Sequence, residues 1–425
     1  MQAGLPAPPG AGAAGEAGAE ATLDGLSVPT TVSSRKKLQP SITIADNPAE
    51  VFTIGFSPDG RYLATGIGDG SLRVFAVQTG KVAFELQAGN AAALPATCLR
   101  FRPATAATRT KNVLVAANAV GSIQHWHVTS GKCLHTIEEK DNQIFALDYR
   151  PDGLMFATGG KDATVRVYDE STKTCTMSLK GAPGYGANVP AGHSNRIFSI
   201  KWHNTDENLL MSGGWDNTIQ IWDTRLQKSV RSIFGPHLAG DSLDMAVDSA
   251  GKATILTGSW RPEGPLEMWD FESGALEEQI EWKDSLIQNQ PCMLYAAQFS
   301  KASVSETSSA ARYVAAGGSG ANETRIFDRL AGSGQTALVG TVAGLNRGVF
   351  CVDWSPVQDK IAIGGGDGTI RILDVVDRTD DEGGMSNFDR HILVHDTTTE
   401  TAGSGGAEEA ASAPAEEKAD EATGP

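Results

Sequence analysis

The sequence predicts an all-β chain built from seven copies of one short-strand unit, with a disordered tail at each end. Three observations predict it. Apolar residues alternate in runs of strand length, and the runs come in groups of three. Pro-Asp-Gly, Gly-Asp and similar pairs fall between the runs, where tight turns are needed. The groups recur at intervals of 42 to 58 residues, measured on the residue that ends each third run: Phe75, Trp126, Tyr168, Trp222, Trp269, Phe327 and Leu373. Such a period marks a repeat architecture, which escapes the limit of about 250–300 residues on a single core. The 425 residues therefore need not divide into two or three domains.

In chain order, residues 1–40 are rich in Ala, Gly and Pro, with three acidic residues balancing three basic ones. They lack an apolar period and cannot bury enough surface to offset the entropy of ordering. The repeat then occupies 41–396. Its fullest copies are VFTIGFSPDGRYLATGIGDGSLRVFAV (51–77), IFALDYRPDGLMFATGGKDATVRVYDE (144–170), IFSIKWHNTDENLLMSGGWDNTIQIWDTR (197–225) and VFCVDWSPVQDKIAIGGGDGTIRILDVV (349–376). Weaker copies lie at 97–128, 244–271 and 295–329. Residues 397–425 form an acidic tail, net −6, which leaves −10 on the repeat region out of a total of −16.

The repeats resemble the WD40 family, whose fold is the β-propeller, here a seven-bladed one. The resemblance rests on an Asp in the turn between second and third strands, at Asp69, Asp162, Asp216 and Asp367, with the residue six places on closing the third strand. Thr65, Thr158 and Ser212 stand four places before three of these. Blade four is the fullest copy, with Gly192-His193 before it and Trp222-Asp223 at its close. The resemblance implies a buried hydrogen-bond chain of His193, Asp216, Ser212 and Trp222, structural rather than catalytic. Val120 and Gly320 replace the Asp in blades two and six. It also implies that the outer strand of the last blade comes from the N-terminus, for which Ser41–Ala45 qualifies, with His391–Val394 as a second candidate. Gly317-Gly318 and Gly364–Gly366 fall between paired strands, so turn geometry accounts for them.

Four features are candidate partner contacts. An aromatic recurs in the inner strands at Phe52, Phe145, Phe198, Tyr295 and Phe350, each four residues before a second aromatic, while blades two and five carry Thr97 and Asp244. Strand alternation puts the first set on the buried face, whereas the resemblance puts it at the channel rim; both remain open. Trp215 and Trp260, with Arg261 beside the latter, sit in or beside turns between second and third strands of adjacent blades, and Lys161 holds the matching place in blade three. Residues 210–225 resemble the WD40 box of cullin-RING ubiquitin-ligase substrate receptors, in which the Arg, here Arg225, contacts the adaptor. Long insertions at 181–191, 301–312 and 377–390 interrupt the repeats.

Catalytic signatures are missing from the sequence: no GxxxxGK[ST] loop, no GxSxG elbow and no cysteine–histidine cluster at metal-ligand spacing. His125 and His127 flank Trp126 without a third ligand. The five cysteines are odd in number and scattered, as reduced thiols would be. The acidic balance disfavours nucleic acid and anionic membranes, and no apolar run is long enough for a membrane helix. The expectation is a monomeric, non-catalytic scaffold without cofactors that binds other proteins in a multiprotein complex. Its setting is cytoplasmic, with the nucleus left open. The closest analogy is a subunit of a cytoskeletal or ciliary (axonemal) assembly; the alternative is a cullin-RING substrate receptor.

Overall fold

The computed structural model describes residues 34–87, 94–105, 108, 110–181, 191–283, 290–301, 311–331, 336–378 and 391–393. Seven sheets, antiparallel but for one short added strand, stand around a central channel. Blade one is Val51–Phe56, Tyr62–Ile67, Leu72–Ala76 and Val82–Leu86; blade two is Ala96–Phe101, Val113–Asn118, Ser122–His127 and Lys132–Glu138. Blade three is Ile144–Tyr149, Met155–Gly160, Val165–Asp169 and Cys175–Leu179; blade four is Ile197–Trp202, Leu209–Gly214, Thr218–Asp223 and Lys228–Phe234. Blade five is Leu243–Val247, Ala253–Gly258, Leu266–Asp270 and Leu276–Gln279. Blade six is Cys292–Phe299, Tyr313–Gly320, Thr324–Asp328 and Ala337–Ala343, and blade seven contributes Val349–Trp354, Lys360–Gly365 and Ile370–Asp377. The inner strands of neighbouring blades touch all the way round.

The hydrophobic core is divided rather than central. Each of seven apolar clusters joins two neighbouring blades, as where Met211, Ile219 and Ile221 of blade four meet Leu243, Met245 and Ile255 of blade five. Both faces of the inner three strands are thereby covered, which is why they read as nearly continuous apolar runs while most outer strands are polar. The glycine doublets belong to this packing. Gly159 and Gly364 lie within second strands, not turns, and an added Cβ would stand 2.7 Å from Ile197 Cγ2 and 2.8 Å from Val51 Cγ1 of the next blade. Gly317 and Gly318 are likewise in-strand. The turn explanation fits Gly366, just past its strand, and Gly60, at φ 68° in the Pro58-Asp59-Gly60 turn, but not the in-strand doublets.

The N-terminus closes the ring. Lys36–Ile44 pairs antiparallel with Ile370–Asp377, from Lys36↔Asp377 to Ile44↔Ile370, and becomes the outer strand of blade seven. The register breaks between Pro40 and Ile42, as suits a residue with no N–H on an edge. The tail boundary at residue 40 therefore moves: residues 36–40 belong to the ring. Lys36, Lys37, Gln39 and Pro40 resemble tail in composition, but Leu38, Ile42 and Ile44 alternate inward onto the cores. His391–Leu393 does not close the ring; it pairs parallel with Thr341–Ala343 as a fifth strand of blade six. Val394, the rest of both expected tails (1–33 and 397–425) and most of the three insertions lie outside the described residues.

Candidate functional site

The inner strands carry one departure from regular pairing, and it decides where the recurrent aromatics point. The register slips between Val51 and Thr53, Ile144 and Ala146, Ile197 and Ser199, Leu294 and Ala296, and Val349 and Cys351. The skipped residues are Phe52, Phe145, Phe198, Tyr295 and Phe350, and blade two slips likewise past Thr97, between Ala96 and Cys98. A bulge inserts one unpaired residue and re-aims its side chain. The aromatics are accordingly half-buried at one mouth of the channel, while Phe56, Tyr149, Trp202, Phe299 and Trp354 four places on are buried between blades. Of the two expectations, alternation fails because it assumes an unbroken ladder.

At that mouth the rings form a continuous arc. Phe145 stacks on Phe198 at 4.8 Å, and Phe198 meets Trp215 at 5.0 Å. Trp215, His237, Trp260 and Tyr295 follow at 6.4 Å between successive centroids. Tyr295 meets Phe350 edge-on at 5.6 Å, and Phe350 stacks on Phe52 at 5.4 Å. Trp215 and Trp260 remain 39% and 38% exposed, so each packs one part on its neighbours and presents the rest to solvent. The Arg196 guanidinium lies over the Trp215 ring at 5.1 Å. Beside Phe52 and Phe350 is a depression of about 360 Å³, flanked by Glu50 and Arg347. His237 is the ring that sequence reading missed, because it lies outside the repeat on the blade-four-to-five connection. Burial and the nearby Arg261 charge hold its imidazole below the ordinary histidine value.

Lys161 is exposed, on the turn of blade three. Arg261 is committed elsewhere: it bonds Gly264 O at 2.8 Å and pairs with Glu267 at 2.6 Å, bracing its own expanded turn. It is thus a brace of the Trp260 turn rather than a free contact group. In blade two, Thr97 takes the aromatic place and donates to Ile144 O at 2.5 Å, leaving the arc open there. Blade five differs from the expected alignment. Asp244 pairs with Leu256 as Lys201 does with Met211, three residues deeper than the rim, and Asp241 holds the rim place.

The blade-four chain is complete. Trp222 Nε1 donates to Ser212 Oγ at 2.7 Å, Ser212 meets His193 Nε2 at 2.7 Å, and His193 Nδ1 meets Asp216 at 2.8 Å. Burial alone would raise the Asp216 carboxyl, but His193, Ser194 N–H and Thr218 outweigh it and hold it below the ordinary value. Ser212→Ala should cost about 2 kcal/mol, because it strands two buried ring nitrogens, whereas Thr65→Ala, which loses one bond to Arg73 O, should cost about 1 kcal/mol. Denaturant midpoints of the two variants check the ranking.

The other turn aspartates do not build this chain. Asp69 accepts from Ser71 within its turn, and Asp162 and Asp367 pair with Arg166 and Arg371. They cap turns, because no histidine reaches them. In blade three the hub is Glu139, which accepts from Thr158, Tyr168, Asn142 and Arg166. Its signal was obscured because a carboxylate stands where the histidine was sought. In blade two, Asn118 Oδ1 accepts from Val120 N and Ser122 N.

Deeper in the channel lies a lattice of charge that sequence reading passed over. Asp148 accepts Trp202 N–H at 2.9 Å, Asp244 accepts Phe299 N–H at 2.8 Å and Asp353 accepts Phe56 N–H at 2.7 Å. Each carboxylate thus staples its blade to the next. Arg100 lies 3.6 Å from Asp148 and 2.7 Å from Asp241, Lys201 pairs with Asp244 at 2.9 Å, and Lys301 with Asp353 at 2.6 Å. Burial opposes the Arg100 charge, but Asp241 and Asp148 outweigh it and hold the guanidinium above its ordinary value. Burial lifts the Asp148 carboxyl despite Lys201 and Arg100. Among the described residues no group of three His, Cys, Asp or Glu is placed to hold a metal ion.

Arg225 lies at the end of blade four away from the aromatic arc. Its guanidinium grips Asp223 at 2.7 Å and its side chain is 64% exposed.

Comparison with known proteins adds sequence relationships to this geometry. The family model "WD domain, G-beta repeat" matches residues 131–169, 187–223 and 337–374. Matches one and three run from the outer strand of one blade to the third strand of the next, the phase that leaves an outer strand for the N-terminus to supply. The family model "Anaphase-promoting complex subunit 4 WD40 domain" matches 33–104. The chain is similar to WD repeat-containing protein slp1 of Schizosaccharomyces pombe, 23% identical over 239 residues, which is 56% of this chain and 44% of that protein. It is similar to Target of rapamycin complex subunit LST8 of Mus musculus, 26% identical over 176 residues, 41% of this chain and 49% of the other. It is also similar to the Ribosome biogenesis protein WDR12 homolog of Drosophila erecta, 28% identical over 109 residues, 24% of this chain and 26% of the other. The chain thus spans between a quarter and a half of the length of these curated relatives.

Proposed function

We infer that this chain, which carries WD40 repeats on a seven-bladed β-propeller, is a non-catalytic scaffold that holds proteins together in a larger assembly. One observation carries the assignment of its binding face: the arc from Phe145 to Phe52, with Trp215 and Trp260 more than a third exposed at its centre. A rigid set of large amphipathic side chains around a concave mouth has the composition of a protein hot spot, since each ring offers area at little entropic cost. Proteins of this repeat family generally act as interaction scaffolds, and two of the relatives are named for ribosome biogenesis and for a target of rapamycin complex.

The proposed partner is a protein seated on the arc, and the proposed setting is a cytoplasmic assembly of the cytoskeleton or cilium. That setting rests on analogy alone; the relatives' names do not speak for it or for a cullin-RING substrate receptor. The substrate-receptor reading predicts an adaptor at Arg225, on the opposite side. Purification of the tagged chain from its own cells separates the two.

Trp215→Ala with Trp260→Ala should leave the fold intact and weaken capture of the arc's partner. Two hot-spot truncations at about 2 kcal/mol each amount to roughly a thousandfold in affinity. Cooperative unfolding and quantitative co-purification are the readouts. Unchanged capture would contradict the assignment, and unfolding of either single variant would show that the tryptophans serve packing.

A further inference from the structure

Blade six ends differently from blades one to five. The outer strands of those five each leave at least three residues exposed. Ala337–Ala343 reads ALVGTVA, carries no charge and is buried at six of its seven residues. Charged and exposed side chains are what ordinarily keep an edge strand from recruiting another strand. This edge lacks them and is covered instead by the chain's own His391–Leu393, in parallel register from Thr341↔His391 to Ala343↔Leu393. Ile392 packs on the cluster that holds Val339, Val342 and Leu345.

The cover is short for what it covers. Three residues fall at the lower limit of strand length, and parallel pairing is slightly weaker per residue than antiparallel. The covering strand is held near its site by a tether, since residues 379–390 link it to the third strand of blade seven. Tethering through a short linker gives an effective concentration on the order of millimolar. A free strand of similar affinity must exceed that concentration to compete, so the site is closed to weak binders and open to stronger ones.

We propose that the outer edge of blade six is a strand-addition site, occupied in cis by residues 391–393 and able to accept in trans an extended, uncharged, aliphatic segment of a partner protein. The chemistry of that segment is read from the occupant: His-Ile-Leu at 391–393, aliphatic at its centre with no acidic residue. Backbone hydrogen bonds would supply affinity, and the pocket now filled by Ile392 would supply selectivity. This site lies on the blade rim and does not depend on the aromatic arc.

The test uses the full chain carrying Ile392→Asp, which removes the aliphatic anchor and places a charge against the apolar cluster. The probe is a fluorescent synthetic peptide with the sequence of residues 387–396, NFDRHILVHD. Fluorescence anisotropy should show the variant binding the peptide at least tenfold more tightly than the wild-type chain. A peptide carrying the same Ile-to-Asp change should bind neither. No binding to a cooperatively folded variant, or equal binding to both chains, would overturn the proposal. Should the variant fail to fold, amide exchange of the wild-type chain decides. Exchange at Thr341–Ala343 that is faster than global unfolding and slowed by added peptide supports a displaceable strand. Exchange only through global unfolding, unchanged by peptide, contradicts it.

Discussion

Deleting residues 36–44 should lower the thermal midpoint by on the order of 10 °C and bring aggregation with it. The strand pairs with Ile370–Asp377 over eight positions. It contributes Ile44, buried in the cluster of blades seven and one, together with Ile42 and Leu38 at the margins of two clusters. A fully buried aliphatic side chain is worth about 1.5–3 kcal/mol, so one full and two partial burials with a lost ladder come to about 5 kcal/mol. That is a large part of the 5–15 kcal/mol that typically separates folded from unfolded states. The deletion also uncovers Ile370 and Ile372 on a new edge, the situation that invites pairing between molecules. Scanning calorimetry with light scattering checks both. An unchanged midpoint would show that the ring holds without this strand.

Asp148→Ala should cost about 3 kcal/mol. The carboxylate accepts Trp202 N–H and faces Arg100 at 3.6 Å, with Lys201 also drawn toward it. Its removal leaves a buried amide without an acceptor and takes a carboxylate from between two cations, which keep only Asp241 and Asp244. Breaking a buried ion pair ordinarily costs about 3–5 kcal/mol. The lower end applies because Arg100 and Lys201 keep 21% and 25% side-chain exposure. Asp148→Asn separates the contributions: it can still accept from Trp202 N–H, and because burial already disfavours the charge it loses, it should recover most of the deficit. Urea unfolding of the three proteins measures this order. Equal stability of Asp148→Ala and wild type would mean that the staple between blades three and four is idle.

Much of the ring was legible because its signals are local. A Pro-Asp-Gly turn, a two-residue strand period and a Trp-Asp close can each be read within one repeat, and blade four carries its whole hydrogen-bond chain in one segment, His193 to Trp222. What could not be read depends on irregularity or on distance. The bulge at Phe52 and its four counterparts leaves no mark in the alternation, so the period argument aimed those rings inward. Asp244 was aligned with the rim because blade five lacks the bulge. Glu139 replaced a histidine hub with a carboxylate, and the Asp148–Arg100 contact crosses blades. The strand at 36–40 was obscured by its own edge chemistry, since Lys, Gln and Pro protect an edge and also compose a tail.

The account turns on which surface the partner covers, and hydrogen-exchange mass spectrometry of the chain, free and within its purified native assembly, reads that directly. Protection on assembly should concentrate on the segments that carry Phe145, Phe198, Trp215, His237, Trp260 and Tyr295, with Phe350 and Phe52 at the end of the arc. Protection confined to the opposite mouth, around Lys301 and Arg225, with the arc exchanging as in the free chain, would contradict it.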